Sequence, residues 1–206
     1  MTLKIIGTPY SRTIRTLWMA KELGIPYENI EVKTGAEGSR TPAHMALNPN
    51  GHVPVIDDDG LVLWESLAIN LYLARKHGGP LAAANLAEEG QMLQWTLWAV
   101  TELEPHAANV MYHTRMLPEE QRDAKILAAA RGSVESVLGV LNGALEKGRG
   151  HLVGGRFTVA DLNVVGCLYF LRFTPELLDK FPAVRAFYDA ARARPQAKAA
   201  FALRGD

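Results

Sequence analysis

The spacing of apolar and polar residues changes once along the chain, and the change predicts two parts of different architecture. Up to residue 79, short apolar runs alternate with segments whose apolar residues recur every three or four positions. Such alternation predicts strands separated by helices. The predicted strands are residues 3–6, 27–32, 53–56 and 61–64. Beyond residue 86 only the helical spacing is found, which predicts an all-helical second part.

The first strand and the helix after it predict a right-handed βαβ unit. The strand ends at Gly7, and the helical pattern that follows Ser11 stops at Gly24. The next strand begins at Tyr27. Because crossover connections between strands of one sheet are right-handed, we expect these two strands to be parallel.

The stretch 48–66, NPNGHVPVIDDDGLVLWES, predicts a turn, a β-hairpin and the start of a helix. Pro54 cannot donate a ladder hydrogen bond, which favours a place at the first residue of an edge strand. If the Val53–Pro54 bond is cis, the backbone N–H and C=O of Val53 turn outward and are available to a ligand. Glu65 and Ser66 open a helix, whose N-terminus attracts a carboxylate. The hairpin is therefore a candidate ligand site.

Capping signals and prolines predict where helices of the second part begin. Asn85 with Glu88, and Thr158 with Asp161, have the spacing of a capping box. Pro118 predicts the first position of a long helix. The sequence has no internal repeat and no low-complexity segment.

Composition and charge limit the kinds of binding partner and the cellular location that we expect for the protein. The 206 residues carry 22 basic and 22 acidic side chains, so the chain lacks the basic surplus that nucleic acids or anionic membranes select. No apolar run reaches the roughly 18 residues of a transmembrane helix, and MTLKIIG enters a strand directly instead of a signal peptide. We therefore expect a soluble, cytoplasmic protein that binds neither nucleic acid nor membranes.

Cysteine and histidine usage excludes several kinds of site. Cys167 is the single cysteine, so the chain cannot form an internal disulfide, a CxxC redox pair or a multi-cysteine zinc site. The six histidines lack metal-ligand spacings such as HExxH. We therefore expect no metal cofactor, and we expect Cys167 to be a small core residue.

Five segments, in their order along the chain, resemble the cytosolic glutathione S-transferase family, and in particular its serine-type bacterial members. They are TPYSRTIR, LGIPYE, NPNGHVP with the following WES, GGRFTVADL and FPAVRAFYDAARARP. The resemblance implies a thioredoxin-like α/β domain of βαβ-ββα order over residues 1–79, a linker over 80–86 and an all-helical domain over 87–206. It also implies a symmetric homodimer.

The activity that the resemblance implies is conjugation of the glutathione thiolate to a small electrophilic or aromatic substrate. Two alternatives stay open, because a fold does not fix a function. One is a non-catalytic glutathione-binding carrier or regulatory protein, and the other is a glutathione-dependent peroxidase.

By the same resemblance, the hairpin holds glutathione as co-substrate. Val53, next to Pro54, pairs its backbone with the cysteinyl part, and His52 lies near the glycine carboxylate. Ser66 and the helix N-terminus receive the γ-glutamyl carboxylate, while Glu65 faces the ammonium group. Structural explanations are the alternatives: Ser66 as a helix cap, Glu65 as a complement to the helix dipole and Pro54 as protection of a sheet edge.

The loop between the first strand and the first helix is where the glutathione thiol is expected to be activated. A thiol with a pKa of about 8.5 is mostly protonated at neutral pH, and a hydroxyl donor at a helix N-terminus lowers that pKa. Ser11, which stands before the helix, is the first choice as the catalytic residue, Thr8 the second and Tyr10 the third. The alternative for Ser11 is a plain N-cap role. The loop contains no cysteine, which argues against relatives that act through a mixed disulfide.

The second substrate is expected to bind against the helical domain, where few residues point to its identity. The candidates are Tyr10, His106, Tyr112 and Arg115, of which Tyr112 and Arg115 suit an acidic aromatic compound. Packing or plain surface exposure is the alternative for each. Phe201 and Leu203 lie on a tail that could cover this cleft.

Overall fold

The computed structural model describes residues 2–205, which form two compact units. The first unit runs to Ala82 and resumes at Ala193, and the second comprises Ala83–Arg192. The boundaries predicted from the sequence, at residues 79 and 87, placed the whole C-terminal segment in the helical domain. In the structure the last residues pack with the first unit instead.

Strands and helices alternate in the first unit as the apolar spacing predicts. Its elements up to Ala82 are β1 (Leu3–Ile6), α1 (Thr13–Leu23), β2 (Tyr27–Ile30), α2 (Pro42–Met45), β3 (Val55–Asp58), β4 (Leu61–Trp64) and α3 (Ser66–His77). The sheet has the order β2-β1-β3-β4, with β1 parallel to β2 and antiparallel to β3, and β3 antiparallel to β4. The thioredoxin-like βαβ-ββα order is thereby confirmed. β2 is shorter than predicted because its neighbour β1 ends at Ile6, opposite Ile30.

The register of the sheet places β3 in its interior, which corrects the assignment of an edge strand. Ile56 pairs with Ile5 of β1 on one side and with Leu63 of β4 on the other. Pro54 lies just before β3, where its missing N–H interrupts no ladder. The explanation of Pro54 as protection of a sheet edge is therefore wrong.

Helices make up the second unit, which confirms the all-helical prediction for this part of the chain. They are α4 (Leu86–Trp98), α5 (Glu104–Met111), α6 (Ala124–Lys147), α7 (Val159–Leu168), α8 (Pro175–Asp179) and α9 (Pro182–Ala193), the last ending at the boundary with the first unit. Two π-helical turns, Ala99–Leu103 and Tyr112–Met116, flank α5. Short 3₁₀ turns lie at Glu119–Gln121 and Tyr169–Phe173.

The two predicted capping signals do begin helices. The Glu88 N–H donates to Asn85 Oδ1 over 3.0 Å, although the Glu88 carboxylate accepts from Ala84 and not from Asn85. Thr158 and Asp161 form a complete capping box at the start of α7. Both signals are local, which explains why the sequence alone identifies them.

The start of α6 differs from the prediction. Pro118 precedes only the 3₁₀ turn Glu119–Gln121, and α6 begins at Ala124, directly after Asp123. The Asp123 carboxylate accepts from the N–H groups of Lys125 and Ile126, over 2.7 and 3.2 Å. The cap therefore sets the helix start, and the proline ends the preceding turn.

Helix α7 is buried along its whole length. Cys167 lies in this helix, fully buried, and its Sγ donates to Glu104 Oε2 over 3.1 Å. The prediction that Cys167 is a core residue is confirmed. No helix of residues 2–205 is both long and apolar enough to cross a membrane.

The C-terminal segment of the first unit packs against α1. It consists of α10 (Pro195–Phe201) and a 3₁₀ turn (Ala202–Arg204). The Phe201 ring meets the Trp18 ring edge to face, with centroids 5.9 Å apart, and both side chains are buried. The Phe201 ring therefore belongs to the core of the first unit, and coverage of a substrate cleft by this tail stays a prediction.

Candidate functional site

The loop between β1 and α1 holds the Ser11 hydroxyl at the N-terminus of α1. Ser11 Oγ donates to the Thr8 carbonyl over 2.8 Å and accepts from the Thr13 N–H over 3.1 Å. It also lies 2.8 Å from Thr13 Oγ1. Because the single Ser11 proton is given to Thr8, Thr13 is the donor within this hydroxyl pair. Ser11 as a residue is only partly buried.

Of the other two hydroxyls in this loop, one is buried and the other is exposed. Thr8 is buried, and its Oγ1 accepts from the Tyr10 N–H at a long 3.4 Å. The Tyr10 side chain is 66% exposed. The Ser11 hydroxyl, by contrast, accepts a hydrogen bond from the N–H of Thr13, the first residue of α1.

Gly7 allows Thr13 to approach the end of β1. Its φ of 144° lies in a region that side chains other than glycine rarely adopt. A Cβ at this position would lie 2.2 Å from Thr13 Oγ1 and 3.0 Å from Val53 Cβ. The glycine therefore brings the loop, the helix start and the hairpin together.

The hairpin presents the backbone of Val53. The Val53–Pro54 peptide bond is cis, the conformation whose consequences were predicted from the sequence. Among residues 2–205, no group hydrogen-bonds to the N–H or the C=O of Val53. This pair of backbone groups is available to an extended ligand, in the manner of a strand added to a sheet edge.

Two buried side chains that the sequence analysis did not single out hold the neighbouring residue. His44 Nε2 and Asn48 Nδ2 each lie 2.9 Å from the carbonyl oxygen of His52. His44 lies in α2, whose first turn is capped by Thr41. The imidazole of His52 is exposed. Asn48 belongs to the NPNG turn, so the turn signal was the clue to its role, while nothing local marked His44.

At the start of α3, Glu65 and Ser66 have different environments. Glu65 is exposed and has a φ of 74°, an unusual conformation of the kind that clusters at ligand sites. Its side chain makes no capping hydrogen bond. Ser66 is buried, and its Oγ accepts from Arg15 Nη1 over a long 3.4 Å. Arg15, on α1, is a buried cation beside this helix start that the sequence analysis missed.

Asp58 ties the hairpin to α3. Its carboxylate accepts from the Tyr72 hydroxyl over 2.7 Å and from the Lys76 ammonium group over 2.5 Å. Burial raises the pKa of Asp58, but the hydrogen bonds from Lys76 and Tyr72 outweigh burial and hold that pKa below its ordinary value. The contact fixes the hairpin relative to the helix whose N-terminus carries Ser66.

The three second-substrate candidates of the second unit lie along one helical run. His106 is half-buried on α5, and Tyr112 and Arg115 are exposed in the π-helical turn that follows. Tyr10, the fourth candidate, belongs to the first unit. Plain surface exposure therefore stays an alternative for Tyr112 and Arg115. Residues 2–205 contain no group of three or more His, Cys, Asp or Glu side chains that could hold a metal ion.

Two family models match the chain. The glutathione S-transferase N-terminal domain matches residues 1–75, and the glutathione S-transferase C-terminal domain matches residues 106–195. Among curated proteins, glutathione S-transferase F4 of Arabidopsis thaliana is 31% identical over 200 residues, covering 93% of this chain and 81% of the relative.

Solved structures agree with the family models. A theta class glutathione S-transferase from Xanthomonas axonopodis pv. citri with glutathione bound is 34% identical, with a TM-score of 0.86, covering 97% of this chain and 96% of that one. Glutathione transferase F7 from Populus trichocarpa is 27% identical, with a TM-score of 0.89, covering 98% and 99%. The chain therefore belongs to the glutathione S-transferase family.

Proposed function

We propose that Ser11 activates glutathione in this glutathione S-transferase, which joins the glutathione thiolate to a small electrophilic or aromatic substrate. One observation carries the proposal: the hydroxyl of the partly buried Ser11 lies at the N-terminus of α1, where it contacts the N–H and the hydroxyl of Thr13. On this proposal the chain would be a serine-type enzyme. The N-cap position of α1 is occupied by Arg12 and not by Ser11, which supports the catalytic role of Ser11 over the plain N-cap alternative.

The hairpin and the start of α3 would hold glutathione. The Val53 N–H and C=O would pair with the cysteinyl backbone. Ser66 and the α3 N-terminus would receive the γ-glutamyl carboxylate, and Glu65 would face the ammonium group. His52 would lie towards the glycine carboxylate. The buried Arg15 supports this orientation, because a cation beneath Ser66 favours an anion there.

In the reaction, the hydrogen bond from Ser11 would shift from the Thr8 carbonyl to the glutathione sulfur. The thiol proton leaves to solvent, and the hydroxyl together with the helix N-terminus stabilises the thiolate. A new S–C bond then forms at the electrophilic carbon. In a substitution the leaving group departs with its electron pair, and in an addition the neighbouring atom takes up a proton.

For the second substrate, Tyr10, His106, Tyr112 and Arg115 remain the candidates. An aromatic ring and a guanidinium in one helical turn suit an aromatic compound that carries an acidic group. A cytoplasmic location also stays a prediction.

A second copy of this chain is the proposed protein partner. Leu86, Leu93 and Leu97 lie on one face of α4, and they are 82%, 46% and 59% exposed. An apolar helix face of this kind is self-complementary in a two-fold dimer. Sedimentation of the wild type and of Leu97→Glu would test it: a dimer that the glutamate dissociates supports the proposal, and a monomeric wild type contradicts it.

Turnover and binding measurements separate the enzyme from its two alternatives. We expect glutathione to bind by calorimetry and to react with an aryl halide, and Ser11→Ala to lose about 100-fold in kcat, since one aligned donor is worth that much. Thr8→Val and Tyr10→Phe are the matched controls, and both are expected to retain most activity. Binding without turnover of any electrophile would favour a carrier. Turnover of an organic hydroperoxide alone would favour a peroxidase.

A further inference from the structure

We propose that Arg204 is a positioning residue that holds the loop 8–11 in the conformation from which Ser11 reaches the glutathione sulfur. The inference rests on the proposed role of Ser11. It adds that this role depends on a residue near the C-terminal end of the described chain. The contacts that carry the proposal are with Pro9 and Tyr10 of the loop, so the effect of Arg204 is expected on the thiol pKa more than on glutathione affinity.

Arg204 contacts two consecutive residues of the loop. Its Nη1 donates to the Pro9 carbonyl oxygen over 2.9 Å. Its guanidinium carbon lies 5.7 Å from the centroid of the Tyr10 ring, within the range of a cation–π contact. The Pro9 carbonyl belongs to the peptide group that joins Pro9 to Tyr10, so the two contacts act on one peptide plane and on the side chain after it.

The orientation of that peptide plane determines where Ser11 points. Inside the loop, the Ser11 N–H and the Ser11 hydroxyl both donate to the Thr8 carbonyl, over 3.1 and 2.8 Å. The peptide between Pro9 and Tyr10 forms the middle of this turn. A rotation of that plane would move Ser11 relative to α1 and to its partner Thr13.

Arg204 is itself held by α1. Three residues before it, the buried Phe201 packs on Trp18. At the start of α10, Arg194 forms its paired hydrogen bonds with Glu22, also on α1. The loop is followed by α1, α1 packs against α10, and the turn after α10 places Arg204 beside the loop. Because α10 is anchored to α1, Arg204 has a fixed position from which it can restrain the loop, whose Tyr10 side chain is exposed.

A purely structural role for Arg204 would change stability and leave the thiol pKa unaltered. The test therefore compares wild type, Arg204→Ala and Arg204→Lys, with Lys198→Ala as the control, because Lys198 is an exposed cation on α10. Three properties are measured on the full chain: the pKa of bound glutathione from thiolate absorbance, glutathione affinity by calorimetry, and the thermal unfolding midpoint.

We expect Arg204→Ala to raise the thiol pKa and to lower kcat/KM at neutral pH about fivefold, the factor that corresponds to one hydrogen bond. Glutathione affinity is expected to change less than about twofold, well below that factor. Arg204→Lys, which keeps a charged donor, should recover part of the loss, and Lys198→Ala should match the wild type. If Arg204→Ala does not fold, Arg204→Lys carries the test, with a thiol pKa above that of the wild type.

The Ser11→Ala variant, titrated in parallel, separates the proposed role of Arg204 from the proposed role of Ser11. A raised thiol pKa in Ser11→Ala with an unchanged pKa in the folded Arg204 variants overturns the role of Arg204 and leaves the proposed function standing. An unchanged pKa in Ser11→Ala overturns the role of Ser11, and the role of Arg204 fails with it.

Discussion

Arg194 and Glu22 join α10 to α1 through two hydrogen bonds, 2.8 Å from Nε and 2.7 Å from Nη2 to the two carboxylate oxygens. The Glu22 side chain is 2% exposed, and its Oε1 also accepts from Trp18 Nε1. A buried carboxylate with a paired guanidinium is costly to leave unpaired. The C-terminal segment is therefore held to the first unit by a charge pair as well as by the Phe201 ring.

Arg194→Ala is expected to destabilise the protein by about 2 kcal/mol. This is less than a fully buried pair would lose, because solvent reaches the arginine. Urea unfolding of the full chain measures it. Lys180→Ala is the control, since its partner Glu135 lies in an exposed pair that contributes less than about 1 kcal/mol. Equal losses in the two variants would contradict the account.

Glu88 predicts a loss of stability in acid. The bidentate hydrogen bond from Arg156, followed by the Ala84 N–H, lowers the pKa of Glu88 from its ordinary value of 4.5 to about 2. A carboxylate whose pKa is lower in the folded state stabilises the fold above its unfolded pKa. That contribution is lost as the pH falls from about 5 towards 2.

The urea unfolding midpoint, measured over this pH range, tests whether Glu88 loses its stabilising contribution as the pH falls. The midpoint of the wild type should fall more steeply with acid than that of Glu88→Gln, which has no carboxylate to protonate. Glu120→Gln, at an exposed position, should follow the wild type. Parallel curves for Glu88→Gln and the wild type would exclude a contribution of Glu88.

Gly7→Ala is expected to destabilise the first unit by roughly 2 to 4 kcal/mol, since it combines backbone strain with overpacking. The added Cβ would lie 2.2 Å from Thr13 Oγ1, so the Thr13 hydroxyl, a partner of Ser11, must shift. Activity should fall along with stability. Gly60→Ala is the control, because Gly60 has a φ of 89° but an added Cβ there meets no atom of the described residues within 4 Å. A Gly7→Ala variant no worse than Gly60→Ala would show that the approach of Thr13 is not needed.

His44→Phe tests whether the His52 carbonyl must be held for glutathione to bind. The variant keeps a ring but loses one of the two hydrogen bonds to that carbonyl. The dissociation constant of glutathione, measured by calorimetry, is expected to rise about fivefold, with little change in the thiol pKa. His77→Phe, at the end of α3, should bind as the wild type does. Unaltered binding by His44→Phe would remove His44 from the site.

Local patterns predicted most of the elements that carry the site, and longer-range contacts account for the misses. Strands β1 and β4, the helix cap at Asn85 and the capping box at Thr158 depend on neighbouring residues, and each was identified from the sequence. The interior position of β3 depends on its pairing with β1, some fifty residues away, as the register shows. Pro118 was misread because Asp123, a stronger cap, follows it.

In the candidate site, too, residues with local signals were predicted and residues that reach the site from other elements were not. Val53, Glu65 and Ser66 lie in one continuous stretch with turn and capping signals, which is why the sequence pointed to them. Arg15 and His44 reach that stretch from other elements, and no periodicity marks them as different from core residues. The packing of Phe201 on Trp18 could not be predicted, because an apolar tail does not reveal which surface it packs on.

The pKa of glutathione bound to the wild type and to Ser11→Ala is the measurement that tests the central claim most directly. Thiolate absorbance, titrated over pH on both complexes, reports it without an electrophile. We expect a pKa well below the roughly 8.5 of a free thiol in the wild type, and a rise of about one to two units in Ser11→Ala, each unit being about 1.4 kcal/mol of lost thiolate stabilisation. The same pKa in both complexes would contradict the assignment of Ser11 as the residue that activates the thiol.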